Sequence, residues 1–480
     1  MLEKFRQWIK GMMNRMFNRR PYEQLGVMPV TTNEMMNAIE LWDNMYKNNV
    51  PWMGPERQSL NLASQIAAEI AIMVTLEAKV EVKGKGRGEW LNKQLEPLVK
   101  MIQRITEYAC ATGGLILKPY PSNGGIAIDV VQATDFLPTA YDSKGNIVGA
   151  VFLERIVKDS VTYTRYESHA MNGEHYHISN KAYKTYNGAD NTAGTEIPLA
   201  SVTEWADLEA EIDINGAGAP LFAYFRIPLG NTIDPKNPLG VSIYSKAVDL
   251  IRDADIQYQR LMWEYEGSEL AIDAPEDIFI DEYNKSMLPA GKQRLFRMNQ
   301  LDPKSTTGKI MEVFSPTIRD ESLVNGLNQI LMRIENQTGL ARGTLSDATN
   351  IEAKTAYEIR ISRQRTYATV TAIQRSLESS LRELLSAMDT MATLYNLTPA
   401  GDYEITCIWD DSVVTDAETE RIRDMGEVRD GLMHKWEYRT KWYGEDEKTA
   451  KKAVGEAEQM SDDELMGFST NDQQREEEEE

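Results

Sequence analysis

Apolar residues return every fourth position at Leu62, Ile66, Ile70 and Val74, with alanines filling the flanks, which predicts a core-facing helix over 60–77. The pattern then changes period. Lys79-Val80-Glu81-Val82-Lys83 alternates polar and apolar as a half-buried strand does, and Gly84, Gly86 and Gly88 end it in a turn. Helical spacing resumes through Leu91, Leu95, Leu98, Ile102 and Ile105, read as one second helix.

From Gly114 to Val202 short β-prone runs alternate with turn residues. The runs are Leu115–Leu117, Ile126–Ile128, Val148–Ile156, Val161–Tyr166 and Tyr176–Ile178; the dividers are Asn123-Gly124, Ser143-Lys144-Gly145-Asn146, Asn172-Gly173 and Asn187-Gly188. This grammar predicts an antiparallel meander, closed by Leu221–Ile227. After Asn237-Pro238-Leu239-Gly240 a helix is expected over 241–269, with Ile243, Ala247, Leu250, Ala254, Tyr258, Leu261 and Tyr265 on one stripe. Its other faces are polar and net acidic, with Asp249, Asp253, Asp255, Glu264, Glu266 and Glu269 against Lys246, Arg252 and Arg260.

Three strand-like runs, Ile278–Ile280, Arg294–Met298 and Ile310–Phe314, predict a small β insertion over 271–317. A helix over 319–337 carries Leu323, Leu327, Ile330, Leu331 and Ile334 and stops at Gly339. Leu340–Asn350 has no periodicity and reads as a loop. From Ile351 to Asn396 there is neither glycine nor proline, and the spacing predicts one helix of roughly 65–70 Å. A strand at 403–409 follows. Thr415-Asp416-Ala417-Glu418 then spells a capping-box start for a helix to about Asp430, with two more helical segments through Trp436 and Trp442 and over 446–460. The chain ends in Gln473-Gln474-Arg475 and five glutamates, read as disordered.

Composition narrows what such a chain can do. The 480 residues carry 74 acidic and 52 basic side chains, a net charge of −22, which argues against a general nucleic-acid binder. Two distant cysteines, Cys110 and Cys407, exclude a disulfide framework and a cysteine zinc site. The most apolar stretch, Ile66–Val74, is nine residues long and contains Glu69, far short of a membrane span. The first twenty residues sum to +5 with apolar residues at helical spacing and no uninterrupted apolar core, so no signal peptide is expected there. They read as an amphipathic arm that docks on a partner, with a membrane-surface helix as the other reading.

Candidate chemistry is sparse. No phosphate-cradling G-x-x-x-x-G-K-[ST] is present. His175 and His177, two apart on an expected strand, share one face and could offer two metal ligands, or be surface histidines beside a turn. Gly240-Val241-Ser242-Ile243-Tyr244 falls one residue short of G-x-S-x-G, and its serine reads as a helix cap. Glu77-Ala78-Lys79 and Glu81-Val82-Lys83 are both E-x-K, the basis of an alternative reading as a metal-dependent nuclease or other DNA-processing enzyme. Nothing assembles a nucleophile, base and orienter, so no catalytic residue, cofactor or metal is assigned.

The order of the middle elements carries a resemblance. A helix opened by Asn237-Pro238-Leu239-Gly240, a β insertion, a helix ending in Asn336-Gln337-Thr338-Gly339-Leu340, a loop, and the Thr355-Ala356-x-Glu358-Ile359 start of a very long helix resemble the portal proteins of tailed bacteriophages. Trp409-Asp410-Asp411-Ser412, Glu418-x-Glu420-Arg421 and Trp436-Glu437-Tyr438-x-x-Lys441-Trp442-Tyr443-Gly444 look like the C-terminal region of portals from long-tailed phages. The resemblance spans roughly Leu60 to Ala457.

It implies an α+β, mainly helical portal fold assembled as a ring, twelve subunits being the family's usual number in the virion. The implied divisions are an N-terminal arm (1–59), a wing (60–239), a first stem helix (240–270), a clip (271–317) and a second stem helix (318–339). A tunnel loop (340–350), a spine helix and strand (351–413), a helical crown (414–468) and an acidic tail (469–480) complete the chain. Channel-lining candidates on the stem are Asp249, Arg252, Asp253, Arg260, Glu264 and Glu266. The tunnel-loop candidates are Arg342, Gly343, Thr344, Ser346, Asp347, Thr349 and Asn350, with Arg342 and Asp347 of opposite sign. The clip divides its charge, and Asp277, Asp281, Glu282, Arg294, Arg297 and Lys304 are its motor-contact candidates. Implied partners are further copies of the chain, the large terminase subunit, head-completion or adaptor proteins, the major capsid and scaffolding proteins, and double-stranded DNA in transit, with no membrane. The implied place is a capsid vertex of the virion, assembled in the host bacterial cytoplasm. A different phage head-tail connector is the remaining alternative.

Overall fold

The structure is a computed structural model that describes residues 29–54, 59–186, 194–269, 271–275, 296–299, 312–347, 356–409 and 417–455. The chain divides into two compact units, Met1–Trp409 and Asp410–Glu480.

The first unit mixes helices and strands around one large core. Helix α1 (Asn33–Tyr46) opens the described chain, with Thr32 accepting from the Met35 amide at its N-cap. It buries Met35, Ile39, Trp42 and Met45. The arm expected over 1–59 therefore holds a core helix: its methionines and Trp42 repeat at helical spacing but lie in a segment read as peripheral. Helix α2 (Leu62–Thr75) buries the predicted Leu62, Ile66, Ile70 and Val74. The next expected helix is two, α3 (Arg87–Val99) and α4 (Ile102–Thr112), with Lys100 and Met101 between them. Apolar periodicity runs across the break and hides it.

Strand β1 (Lys79–Lys83) alternates exposed and buried as predicted and pairs antiparallel with β14 (Glu404–Ile408), Glu81 opposite Thr406. The expected single meander is divided between two sheets. β2 (Gly114–Ser122) lies between β3 (Gly125–Gln132) and β10 (Ala223–Arg226) in one sheet. β4 (Phe136–Tyr141), β5 (Ile147–Lys158), β6 (Val161–Asn172) and β7 (His175–Tyr186) form the other, in that order. The short β8 (Thr195–Ile197) and β9 (Glu211–Asn215) both pair with β7. The strand expected to close the meander thus closes the smaller sheet instead, with Ala223 opposite Leu117. The long β5–β6 hairpin turns on Asp159 and Ser160, both at positive φ.

Helix α5 (Val248–Gly267) follows a 3-10 turn at Ser245–Ala247. Beyond it lie β11 (Ala271–Pro275), β12 (Phe296–Asn299) and β13 (Glu312–Phe314), with β11 central, parallel to β12 and antiparallel to β13. The β insertion is therefore present, with β11 starting earlier than the run Ile278–Ile280, which lies outside the described residues. Helix α6 (Asp320–Thr338) returns and ends on Gly339, whose φ of 81° is the left-handed value that a side chain would strain. Helix α7 (Ala356–Leu394) is 39 residues, about 58 Å long. It buries Val370, Ile373, Leu377, Leu381, Leu384 and Met388 against β10, β2 and α2. Arg87, itself buried, pairs with Asp389 at 3.0 Å and bonds Thr393, fixing α3 to the end of α7.

In the second unit, α8 (Ala417–Arg429) and α9 (Lys435–Tyr443) pack together. Asp424 on α8 is buried and accepts from Lys441 Nζ (2.7 Å) and Trp442 Nε1 (3.0 Å) on α9. The capping box lies at His434 and Glu437, opening α9; the expected one at Thr415 lies outside the described residues.

Candidate functional site

Helices α5 and α6 run side by side, joined through the three-stranded sheet, so that both ends of this excursion return to the body of the first unit. Where the chain enters α5 the packing is close. Gly240 stands against Gly113, whose φ is 98°, and a Cβ on Gly240 would lie 2.1 Å from the Gly113 carbonyl oxygen. The amide of Ile243 donates to Cys110 O at 2.9 Å and the Gly240 amide to Tyr224 Oη at 2.9 Å. Ser242 is fully buried and donates to Cys110 O, so the serine near the abortive G-x-S-x-G is a packing residue.

The buried face of α5 is Ile251, Ala254, Asp255, Leu261 and Glu264. This differs from the apolar stripe in the sequence: Tyr265 is exposed, and two carboxylates point inward. Each is satisfied by a specific partner. Asp255 accepts from Trp52 Nε1 and from the Leu60 amide, both at 2.8 Å; burial nonetheless pushes its carboxyl above the ordinary value. Glu264 accepts from Arg319 Nη2 (2.7 Å), Nε (3.0 Å) and the Arg319 amide (3.3 Å), and these hydrogen bonds hold it below the ordinary carboxylate value. Gln257 Nε2 donates to Leu323 O at 3.2 Å midway. The two helices are thus pinned along their length and clasped beside the sheet.

Of the six channel candidates, Asp249, Arg252, Asp253, Arg260 and Glu266 lie on the outer surface of α5, and Glu264 does not. Arg252 stands between two carboxylates, 3.0 Å from Asp249 and 3.4 Å from Asp253. Trp263 on the same helix is 66% exposed, an apolar surface beside the charges.

The loop after α6 has a defined shape through Asp347. Glu335, in the last turns of α6, is completely buried. Its Oε1 accepts from the amides of Gly343 (3.1 Å), Leu345 (2.6 Å) and Ser346 (2.8 Å), and Ser346 Oγ bonds both carboxylate oxygens. Asn328, two helical turns earlier, accepts from the Asp347 amide at 2.8 Å. Among the loop candidates, Arg342 and Asp347 are exposed, Gly343 and Thr344 half-buried and Ser346 buried; Thr349 and Asn350 lie outside the described residues. Glu335 and Asn328 were not legible as loop partners, because a glutamate or asparagine on an amphipathic helix carries no local sign of what it will bind. Of the clip candidates, Arg297 falls on β12; Asp277, Asp281, Glu282, Arg294 and Lys304 lie outside the described residues.

The remaining polar constellations are tied up within the fold. His175 and His177 share a face of β7, as predicted, and bond Asn215 and Asp213 of β9 across the strand pair. Among the described residues no group of three His, Cys, Asp or Glu is placed to hold a metal ion, and the exposed Glu81 on β1 has no such company. A cleft of about 320 Å³ between β3 and β5 holds Lys118, Arg165 and Glu167. Glu167 is 2.6 Å from Lys118, 3.0 Å from Arg165 and 2.7 Å from His169. Burial pushes its carboxyl up, but the cations and the His169 hydrogen bond outweigh that and hold it well below the ordinary value, while burial pushes His169 down. No helix among the described residues is long and apolar enough to cross a membrane.

The family described as "Phage portal protein, SPP1 Gp6-like" matches residues 40–464 of this chain. No curated protein matches it. Among solved structures, a chain from the neck of a native GTA particle, computed with C12 symmetry, is similar over 86% of this chain and 94% of that one, with 11% sequence identity and a TM-score of 0.43.

Proposed function

The chain belongs to the SPP1 Gp6-like family of phage portal proteins, and from that premise we propose that twelve copies close into a ring around the path that DNA takes through one vertex of the capsid. The match over 40–464 supports this reading, because it runs from within α1 to beyond α9 and so spans the excursion of α5, the small sheet and α6. In this assignment α5 and α6 are the stem, 271–317 the clip that meets the large terminase subunit, and 340–350 the tunnel loop. The α7 helix is the spine of the wing and 414–468 the crown. Head-completion or adaptor proteins bind after packaging; capsid and scaffolding proteins surround the ring, which assembles in the bacterial cytoplasm.

The work of such a ring is mechanical. A contact between unlike patches of neighbouring copies closes a tube when its rotation closes. Twelve helical hairpins then wall a channel that must let a polyanion slide. Every tight cation–phosphate contact would add a hold on the DNA, so a wall with carboxylates flanking its arginines is suited to passage. Asp249 and Asp253, on either side of Arg252, supply that wall. No observation favours the nuclease reading.

Negative-stain electron microscopy of the purified protein tests the assembly. Rings with an axial hole are expected; monomers alone at high concentration would overturn the reading.

A further inference from the structure

Glu335 occupies an adverse place for a carboxylate. It lies near the C-terminus of α6, where the helix dipole disfavours negative charge, and it is wholly removed from water. The only donors that the structure brings to it are the amides of Gly343, Leu345 and Ser346 and the Ser346 hydroxyl, among the described residues. Three amides within four loop residues converge on one oxygen, a backbone shape that the loop would not hold without that acceptor, because the inward-facing N–H groups would be left unpaired. Asn328 adds a second attachment seven residues earlier on the same helix, about 10 Å along its axis, through the Asp347 amide. The loop is therefore laid back along α6 and attached to it at two points.

We infer that Glu335 is the positioning residue of this loop: its carboxylate templates Gly343–Ser346, so that the segment through Asp347 moves with α6 as one body and Arg342 and Asp347 keep fixed places along the helix. Their part in DNA passage rests on the portal reading above; the clasp itself does not. The consequence for that reading is specific. A shift of α6 is transmitted directly to the charged loop residues, and a loop freed from Glu335 no longer reports the position of the stem.

Hydrogen exchange on the full-length protein, read in the peptide covering 341–347, tests the clasp. Glu335→Ala is expected to lower protection there at least tenfold while the 322–330 segment is unchanged. Glu335→Gln, which keeps an oxygen for the amides and can donate to Ser346 Oγ, is expected to retain most of it. Unchanged protection in Glu335→Ala would overturn the inference. If that variant does not fold, Ser346→Ala takes its place, with a smaller loss of about threefold expected in the same peptide and an unchanged peptide again counting against the clasp. DNA filling of heads built with Glu335→Ala separates the two claims. Fewer filled heads support both. Lost protection with normal rings and normal filling keeps the clasp and removes the loop from DNA passage.

Discussion

Replacing Gly240 by alanine tests whether the segment leading into α5 is set by a backbone contact. An aliphatic carbon comes no nearer than about 3.3 Å to a carbonyl oxygen in ordinary packing. The new Cβ would stand 2.1 Å from Gly113 O and 2.9 Å from Ile227 O, and both are backbone atoms that no rotamer change can move. The two segments must separate by roughly 1 Å. That separation strains two neighbouring hydrogen bonds, Ile227 N to Gly113 O at 3.0 Å and Gly240 N to Tyr224 Oη at 2.9 Å. Overpacking costs about 1–3 kcal/mol, and each of the two weakened bonds about 1 kcal/mol, for a total of about 3–5 kcal/mol.

For a cooperative unit of this size, such a loss lowers the thermal midpoint by roughly 3–6 °C. Gly230→Ala is the control, since nothing lies within 4 Å of a Cβ there; it should stay within about 0.5 kcal/mol of the parent. Gly113→Ala should be worse than Gly240→Ala, because its positive φ adds backbone strain to a Cβ 2.5 Å from Gly240 O. Urea titration of the three variants side by side is the assay. A Gly240→Ala midpoint matching that of Gly230→Ala would show that the glycine of Asn237-Pro238-Leu239-Gly240 does not set this junction.

Three further changes probe charges that the fold uses internally. Glu264→Ala and Arg319→Ala should each speed hydrogen exchange at the adjoining ends of α5 and α6, and the double variant should be no faster than either; additive effects would mean that the two residues do not act as a pair. Glu167→Gln should cost about 3–5 kcal/mol, since it leaves Lys118 buried without its counter-ion. Acid should destabilise the same cluster in a defined direction. His169 and Glu167 both have folded values below their unfolded ones, so their stability is present above about pH 6.5 and about pH 4.3 respectively and is lost as pH falls through the folded values. The gap between the urea midpoints of the parent and Glu167→Gln should narrow from pH 7 to pH 3, and a gap that widens on acidification would contradict the assignment.

Local periodicity located the helices and strands where one face is apolar and the other wet. It was less informative where polar groups are buried with partners. The inward face of α5 includes Asp255 and Glu264, which any hydrophobicity pattern assigns to water; partners distant in the chain, among them Trp52, Leu60 and Arg319, make those positions inward. The same limit hid the loop clasp at Glu335. The break between α3 and α4 and the division of the meander into two sheets escaped for another reason. Both leave the local apolar pattern unchanged, and the division of the sheets depends on which strand β10 pairs with. The family resemblance, in contrast, rests on the order of elements, which survives small errors in each one, and the match over 40–464 bears it out.

Net acidity can then be tested as a property of the proposed channel wall. Of the acids on α5, Asp255 and Glu264 are turned inward, and Arg252 is shared by Asp249 and Asp253, leaving a wall more nearly neutral than the sequence suggests. Repetition around the proposed ring amplifies any change. Asp249→Lys with Asp253→Lys alters the wall by four charges per subunit, on the order of fifty in twelve copies, enough to convert weak repulsion into a hold on phosphate. Such a hold should be screened as the Debye length shrinks from about 10 Å at 0.1 M salt. The double variant should therefore assemble normally, package DNA slowly at low salt, and recover as salt rises, while the parent changes little. A defect equal at every salt concentration would place these carboxylates in assembly rather than against DNA, and normal packaging at low salt would remove them from the wall altogether.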